Sequence, residues 1–308
     1  MNEFASPTLV TEWAPAKVNL YLHVGPLGPG GFHPLDSFVM FADKRASDRV
    51  GARQAPHLNL HLTGPGARAL KSPKGNLVLQ AAHALREACG RTMIGASLVL
   101  HKDLPTAGGV GGGSADAAAT LRLLNAMWEV GFSSVALETM GAQIGSDVPA
   151  CVRSRPLVMR GAGEQLIDAI APDLPAVLVN PGVPLETRKV FKRFDKLAAI
   201  RSFEHRAPPE GADAASFALA VASYSNDLEE AARALRPEIG RVLTALSSTH
   251  GCRLARMSGS GPTCFALYDT ESEAIEAAAR LSVDEPRFWV RATVLRGSST
   301  SPSGGRAS

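Results

Sequence analysis

The residues with the clearest chemical potential form a glycine-rich run between positions 108 and 113. Five of these six residues are glycine, and the run leads into a stretch with apolar residues at helical spacing, namely Ala117, Leu121, Leu124 and Trp128. Glycine loses more backbone entropy on folding than any other residue, so such a loop indicates that the backbone must approach another molecule closely. A helix N-terminus adds free N–H donors and the positive end of the helix dipole. We therefore predict an anion site here, with phosphate as its usual occupant.

The two commonest phosphate-binding motifs do not fit this loop. A P-loop requires Lys and then Ser or Thr after its last glycine, whereas Ser114 and Ala115 follow here. The loop also lacks the dinucleotide fingerprint Gly-x-Gly-x-x-Gly/Ala. A literal match at residues 64–69 is followed by Lys-Ser-Pro at 71–73, and proline blocks the helix that this motif requires. A flexible linker is the alternative, but it does not account for a well-patterned helix directly after the glycines.

The elements that must position this loop follow strand and helix patterns along the whole chain. In the first half we predict strands at 16–24, 58–62, 96–101, 151–153 and 157–160, and helices after Asn76, after the glycine run and at 134–144. In the second half we predict strands at 176–179, 253–257, 263–267 and 288–295, and two helices that open with the capping boxes Asn226–Glu229 and Thr270–Glu273.

This pattern is typical of an α+β sandwich, with helices on one face of an antiparallel sheet. We place the domain boundary near residue 165, which gives domains 1–165 and 166–296. The tail, 297–308, consists of Ser, Gly, Pro, Thr and Ala with one Arg, and we expect it to be disordered.

The composition indicates a globular protein and argues against a nucleic-acid partner. Of the 308 residues, 45% are hydrophobic and 20% are charged, and the formal net charge is +3. These values exclude the disordered class. The Lys and Arg residues are scattered and form no basic stripe with aromatic residues, so we expect no binding to nucleic acid.

Cysteine usage and hydropathy indicate a reduced, cytoplasmic protein. The four cysteines are Cys89, Cys151, Cys252 and Cys264. They show neither Cys-x-x-Cys pairs nor the spacing of metal ligands. His57 and His61 share a strand face without a further ligand, so no metal site is expected there. No stretch has the length of a membrane span, and residues 1–15 lack a secretion signal. We expect a monomer or a weak homodimer.

Three segments together resemble the GHMP kinases. They are Pro105–Ala115 around the glycine run, Ala14–Leu20 near the N-terminus and Met257–Thr263, which carries a second glycine motif. The three stand in order, and the resemblance covers nearly the whole chain. It implies a two-domain α+β fold, with an N-terminal mixed α/β domain that binds ATP and a C-terminal domain built on an antiparallel sheet. It also implies ATP as phosphoryl donor, together with Mg²⁺.

Three further segments, 31–33, 144–149 and 181–183, point to one branch of this family. They resemble the GHMP kinases of non-mevalonate isoprenoid biosynthesis, whose acceptor is methylerythritol carrying a diphosphocytidyl group. The resemblance implies transfer of the γ-phosphoryl group of ATP to the 2-hydroxyl of that small molecule. Phe32 stands where this branch usually has tyrosine, which keeps an aromatic face but removes a hydroxyl.

The resemblance implies catalytic roles for Lys17 and Asp147. Phosphoryl transfer needs mainly positioning and charge stabilisation, so Asp147 would orient the accepting hydroxyl and take its proton late. Lys17 would contact both the γ-phosphate and Asp147 and keep the carboxylate ionised. Asn19 lies two residues further on the same strand face and would bind the polyol of the acceptor. The alternatives are an Asp that caps a turn and a solvated Lys at a strand edge.

The resemblance also divides the remaining residues between the two substrates. The ATP-binding residues would be Pro105, Gly108, Gly109, Gly111, Gly112, Gly113 and Ser114 at the phosphates, and Asn76 and Lys102 at the adenosine half. For the acceptor, Phe32 and Phe191 would stack on the two faces of cytosine and His33 would hydrogen-bond its edge. Thr187 belongs to the same Thr-x-x-x-Phe segment as Phe191. Taken singly, each aromatic residue is as well explained by a place in the core.

Two competing functions remain open at this point. One is another GHMP kinase, of the homoserine or mevalonate type; the segment 31–33 and Phe191 argue against it, because neither substrate carries a base on which to stack. The other is a non-catalytic ligand-binding relative, and the presence of both Lys17 and Asp147 argues against that function.

Overall fold

The computed structural model describes residues 9–28, 30–70, 75–91, 93–106, 108–197 and 203–298. The fold is built on a four-stranded and an eight-stranded sheet. The four-stranded sheet has the order β1 (Val10–Pro15), β4 (Ser47–Ala55), β6 (Gly95–His101) and β5 (Asn59–Thr63). Its strands pair antiparallel except β5 and β6, which are parallel.

The eight-stranded sheet combines strands from both halves of the chain. Its order is β10 (Leu254–Met257), β11 (Cys264–Leu267), β9 (Leu174–Asn180), β12 (Trp289–Arg296), β3 (Leu35–Ala42), β7 (Leu157–Gly161) and β8 (Gln165–Asp168), and β2 (Lys17–Val24) also pairs with β3. All of its pairings are antiparallel. Strand β2 therefore joins the Lys17 and Asn19 segment, through β3, to the sheet that carries the C-terminal strands.

Nine α-helices occur in the described part of the chain. They are α1 (Leu77–Ala88), α2 (Gly112–Met127), α3 (Ser134–Ile144), α4 (Val148–Arg153), α5 (Thr187–Leu197), α6 (Ala214–Ala222), α7 (Glu229–Leu235), α8 (Glu238–Ser247) and α9 (Glu271–Asp284). Helices α1 and α2 pack on the four-stranded sheet, where Val78 and Leu85 meet Leu98 and Leu100 in one buried cluster. None of the described helices is both long and apolar enough to cross a membrane.

The C-terminal strands bury both of their faces. Along β9, Val177 and Val179 join the apolar cluster under α5, α7, α8 and α9. The alternate residues, Ala176 and Leu178, point to the opposite face, where Phe217 of α6 packs. Strand side chains alternate in this way because successive residues point to opposite faces of a sheet. The predicted combination of helices and antiparallel sheets is confirmed, and α6 lies on the second face of the C-terminal sheet.

Two local predictions were wrong. Residues 151–153 belong to helix α4 and not to a strand; the apolar run 148–152 is buried throughout, and periodicity cannot separate a short buried helix from a buried strand. Asn226 and Glu229 do not form a capping box. The Asn226 side-chain amide instead donates to the carbonyls of Met257 and Gly259, both at 2.8 Å. Thr270 and Glu273 do form the predicted capping box of α9.

The domain division at residue 165 stays a prediction. The tail is described only at its start, where the Gly297 N–H donates to Asp173 at 2.7 Å and the Ser298 N–H donates to the carbonyl of Ala171 at 3.0 Å. The expected disorder of the rest of the tail, 299–308, lies outside the described residues.

Candidate active site

The predicted site residues line one cleft with a volume of about 1630 Å³. The cleft runs from the N-terminus of α1, past the glycine loop, to the first turn of α5. A second cavity of about 770 Å³ lies beside α7 and α8, and its lining contains none of the predicted site residues. The larger cleft is therefore the candidate active site.

The glycine loop ends on an uncapped helix N-terminus that faces this cleft. Gly109 and Gly111 have φ values of 72° and 63°, a region that favours glycine. A Cβ atom on Gly109 would lie 2.6 Å from the carbonyl oxygen of Gly261, so no larger residue fits there. Gly111 is the N-cap of α2, and no side chain caps the helix. The first N–H groups of α2 thus remain for an anionic ligand.

The three sequence segments that carried the family resemblance meet at this loop. The N–H of Lys17 donates to the carbonyl of Val110 at 2.9 Å, and the N–H of Thr263 donates to the carbonyl of Gly108 at 3.1 Å. The hydroxyl of Ser258 donates to the carbonyl of Gly109 at 3.2 Å. These bonds fix the loop against strand β2 on one side and the C-terminal glycine motif on the other.

Lys17 and Asp147 form an ion pair beside the end of the loop. Lys17 Nζ lies 2.8 Å from Asp147 Oδ1, and the side chain of Lys17 is 6% exposed whereas that of Asp147 is 36% exposed. Asp147 precedes α4 but makes no capping hydrogen bond, so its second oxygen stays available. A Cβ atom on Gly111 would lie 3.4 Å from Lys17 Cβ and 4.0 Å from Asp147 Oδ2. The pair is therefore next to the phosphate loop.

Asn19 lies behind this ion pair and is held from both sides. Its backbone N–H donates to the Ser258 hydroxyl at 3.1 Å, and its side-chain amide donates to the Ser37 hydroxyl at 2.8 Å. Asn19 is 6% exposed and lines the cleft. Its side-chain oxygen is the atom left to receive a hydroxyl from a ligand.

The two residues predicted at the adenosine half are partly engaged within the protein. Asn76 Oδ1 accepts the N–H of Val78 at 2.9 Å as the N-cap of α1, which leaves the amide nitrogen for a ligand. The ammonium of Lys102 donates to Asp48 and to Asp116. Lys102 lines the cleft, but its charge is used inside the protein.

Four of the five residues predicted for the acceptor, namely Phe32, His33, Thr187 and Phe191, meet at the other end of the cleft. Phe32 is 70% exposed, and Phe191 is half-buried with its ring centroid 5.4 Å from that of His33. His33 Nδ1 lies 2.8 Å from the carbonyl of Gly25, and its Nε2 lies 3.2 Å from a carboxylate oxygen of Asp195.

Both ring nitrogens of His33 therefore have partners within the protein. The hydroxyl of Thr187 is likewise bonded, to that of Ser260 at 2.8 Å. A cytosine edge at this position would have to replace Asp195 or bind to backbone groups.

Four charged residues near the cleft were missed by the sequence analysis. Arg188 and Lys192 line the cleft one helical turn apart on α5, and within the described residues neither forms an ion pair. Their i, i+4 spacing was the available signal. Asp48 and Asp116, the partners of Lys102, are fully buried. No local pattern marks them, because their pairing depends on the tertiary fold.

Comparison with known proteins places this chain in a family. Residues 76–155 match the GHMP kinases N terminal domain and residues 209–283 match the GHMP kinases C terminal domain. The 4-diphosphocytidyl-2-C-methyl-D-erythritol kinase of Hyphomonas neptunium is 46% identical over 290 residues, which cover 93% of this chain and 96% of that protein. The enzyme of the same name from Parvibaculum lavamentivorans is 45% identical, with coverages of 94% and 99%.

Solved structures agree with this placement. A crystal structure of 4-(cytidine 5'-diphospho)-2C-methyl-D-erythritol kinase has a TM-score of 0.75 and 31% identity, covering 94% of this chain and all of that chain (100%). Homoserine kinase from Cytophaga hutchinsonii shares the fold, with a TM-score of 0.66 and 16% identity. The match covers 96% of this chain and 99% of that chain. The chain belongs to the GHMP kinases and, among them, to the family of the 4-diphosphocytidyl-2-C-methyl-D-erythritol kinases.

Proposed function

We propose that this protein transfers the γ-phosphoryl group of ATP to the 2-hydroxyl of 4-diphosphocytidyl-2-C-methyl-D-erythritol, a step of non-mevalonate isoprenoid biosynthesis. The observation that carries the proposal is the Lys17–Asp147 ion pair, which lies in one cleft with the glycine loop and with Phe32 and Phe191. The relatives of that name match nearly the whole chain. Both substrates therefore have a place in the cleft, on either side of the ion pair.

The ion pair supplies the proton chemistry. Asp147 is the more exposed partner and would accept a hydrogen bond from the 2-hydroxyl of the acceptor, which aligns the oxygen with the γ-phosphorus. As the new O–P bond forms, the hydroxyl proton passes to the carboxylate. Lys17 keeps Asp147 ionised before the transfer and offsets negative charge on the transferred group. Asn19 would orient the polyol from behind the pair.

Magnesium would arrive with the nucleotide. Mg²⁺ keeps several waters and binds through substrate phosphates with one or two carboxylates. Among the described residues, no group of three or more His, Cys, Asp or Glu side chains has metal-binding geometry. The donors in the cleft therefore fit Mg²⁺ held by the phosphates of ATP, with the uncapped N-terminus of α2 binding the same polyphosphate. When bound, Mg²⁺ would offset negative charge on the phosphates of ATP.

The acceptor would be held by its cytidyl and diphosphate groups. Phe32 and Phe191 offer aromatic faces for the base, and each stacked base contributes about 1–3 kcal/mol. Arg188 and Lys192 are exposed cations on the same side of the cleft and suit the diphosphate. Homoserine and mevalonate lack both groups, so this end of the cleft favours the diphosphocytidyl acceptor. The cytoplasmic location and the monomeric or weakly dimeric state stay predictions.

The test is an ADP-release assay over a panel of acceptors at saturating ATP and Mg²⁺. We expect 4-diphosphocytidyl-2-C-methyl-D-erythritol to exceed methylerythritol 4-phosphate in kcat/KM by orders of magnitude, because a remote binding group contributes to orientation as well as affinity. Homoserine, mevalonate and galactose should be inert. Comparable rates with homoserine or mevalonate would reject the proposed acceptor and leave a GHMP kinase of other specificity.

A further inference from the structure

A buried charged triad lies behind the start of helix α2. It consists of Asp48 on β4, Lys102 after β6 and Asp116 in the second turn of α2, and all three are at most 3% exposed. The ammonium of Lys102 donates to Asp116 Oδ2 at 2.7 Å and also to Asp48 Oδ2. Two carboxyl groups thus share one ammonium in the protein interior, where an uncompensated charge is costly.

The two carboxyl groups have unequal sets of partners. Asp48 Oδ1 accepts the backbone N–H groups of Asp103 and Leu104, at 2.6 and 2.8 Å, in addition to the Lys102 bond at its other oxygen. The carboxyl group of Asp116 accepts a bond only from Lys102 and lies within hydrogen-bonding reach of Asp48, to which a protonated Asp116 would donate; its Oδ1 is buried with no hydrogen-bond partner among the described residues. Hydrogen bonds to a carboxylate favour its charged form, so the negative charge belongs on Asp48 and a proton belongs on Asp116.

The electrostatic surroundings of Asp116 agree with this assignment. Burial raises the pKa of Asp116 to about 8; the charge of Asp48 acts in the same direction, and Lys102 opposes it. Helix α1 faces α2 with apolar residues such as Ala81 and Leu85. On α4, the charge of Asp116 acts on the thiol of Cys151, whose pKa burial raises to about 12. Asp147, Lys17 and Arg122 are the other charges that act on that thiol.

The triad connects the two ends of the glycine loop. Asp48 holds the backbone at residues 103–104, just before Pro105, and Asp116 belongs to the helix that the loop enters. A Cβ atom on Gly112 would lie 3.0 Å from Lys102 Nζ and 3.6 Å from Asp48 Oδ2. The charges therefore lie against the first residue of α2, and Lys102 and Asp116 also border the cleft.

We propose that Asp48, Lys102 and Asp116 are positioning residues that hold the glycine loop for the polyphosphate of ATP, and that the triad does this as an electrically neutral unit with one proton on Asp116. Loss of that proton would put a surplus negative charge behind the loop. In a medium of low polarity, such a charge would repel the phosphates and weaken their binding. The inference depends on the proposed function in one respect, namely that the nucleotide is ATP. It does not depend on the identity of the acceptor.

The first test measures ATP affinity against pH by calorimetry, with Mg²⁺ and without acceptor. We expect the ATP affinity of the wild type to be constant below pH 7.5 and to fall above pH 8. The fall should approach about tenfold per pH unit, because binding would require one proton. Asp116→Asn carries no titrating proton, so its ATP affinity should be independent of pH from 7 to 9.5, whatever its value at pH 7.

The matched control is Asp103→Asn. Asp103 is next to Lys102 in the chain, but its carboxylate pairs with Arg291 outside the triad, at 3.0 Å. This variant should keep the wild-type fall in affinity above pH 8. A flat wild-type profile, or a fall that persists in Asp116→Asn, would overturn the proton assignment.

A second measurement does not depend on the folding of any variant. The heat of ATP binding to the wild type is measured at pH 8.5 in two buffers of different ionisation enthalpy. The difference should show that binding takes up a large fraction of one proton. Zero proton uptake would overturn the proposal. The two proposals fail separately. If ATP affinity does not depend on pH but the diphosphocytidyl acceptor is phosphorylated, only the proposal for the triad is rejected. If ATP affinity depends on pH as expected but that acceptor is inert, only the proposed acceptor is rejected.

Discussion

Lys17 Nζ lies 2.8 Å from Asp147 Oδ1, and the two partners differ sixfold in exposure, with side chains 6% and 36% exposed. The buried lysine is fixed on β2 between the glycine loop and the C-terminal glycine motif, because its backbone N–H is bonded to the carbonyl of Val110. The aspartate stands immediately before α4, as its N-cap residue, and lines the cleft. In the proposed function, the pair would present a fixed cation to the nucleotide and a free carboxylate oxygen to the acceptor.

From this arrangement we predict that Asp147→Asn and Lys17→Ala each lower kcat by about 10²-fold or more, while the Kd for ATP changes little. The reason is that, in the proposed function, both side chains would act on the transferred group, whereas the glycine loop would bind the rest of ATP. Rapid-quench assays for kcat and calorimetry for the Kd would measure the two effects. Asp168→Asn, which removes an exposed acid paired with Arg155, is the control and should be unchanged. Near-normal turnover in Asp147→Asn would remove this residue from the mechanism.

Gly112→Val should abolish measurable ATP binding. A Cβ atom at this position would lie 3.0 Å from Lys102 Nζ, and the rest of a valine side chain would crowd the triad or the phosphates. Isothermal titration with ATP is the measurement, and circular dichroism checks the fold. Gly240→Ala, in helix α8, is the matched control because its Cβ would make an ordinary contact of 3.5 Å with Arg233. Retained ATP affinity in Gly112→Val would mean that the loop binds something other than phosphate.

Local patterns determined which parts of the fold were predictable. The helix 134–144 and the capping box of α9 were predicted correctly, because periodicity and capping residues are local properties. Residues 151–153 were misread as a strand because the apolar run 148–152 that overlaps them is buried throughout. Asn226 was misread as a cap because its amide bonds Met257 and Gly259, far along the chain. That second error involves a contact that only the tertiary fold creates.

The candidate site shows the same division. The glycine loop was predictable because positive φ values and close backbone contacts require glycine, and glycine residues are visible in the sequence. Lys102 was predicted as an ATP ligand, yet its ammonium is bound by Asp48 and Asp116, which are distant from each other in sequence. Charge pairing of this kind follows from how β4 and α2 pack. Arg188 and Lys192 had a local signal, but whether a basic helix faces solvent or a cleft is again decided by packing.

Phe191→Ala should raise the KM for the diphosphocytidyl acceptor by about 5- to 150-fold, since loss of one stacked base costs about 1–3 kcal/mol. Phe32→Tyr should be nearly neutral, because both residues offer an aromatic face. Phe32→Ala should raise the same KM yet leave the melting temperature unchanged, because Phe32 is 70% exposed. Leu219→Ala, an exposed apolar residue on α6 at 77%, is the control. An unchanged KM in both alanine variants would exclude base stacking at this position.

The double variant Arg188→Gln, Lys192→Gln should raise the KM for the acceptor by roughly three- to thirtyfold, with kcat and the ATP affinity nearly constant. Both cations are exposed on α5 and line the cleft, so they would contribute modest, screened attraction to the diphosphate. Screening gives a second signature: the wild-type KM should rise with ionic strength, and the double variant should lose that dependence. Lys189→Gln removes one charge from the same helix, but Lys189 is paired with Glu186 at 2.6 Å, so this control should keep the wild-type KM and its salt response. A salt-dependent KM that persists in the double variant would place the diphosphate elsewhere in the cleft.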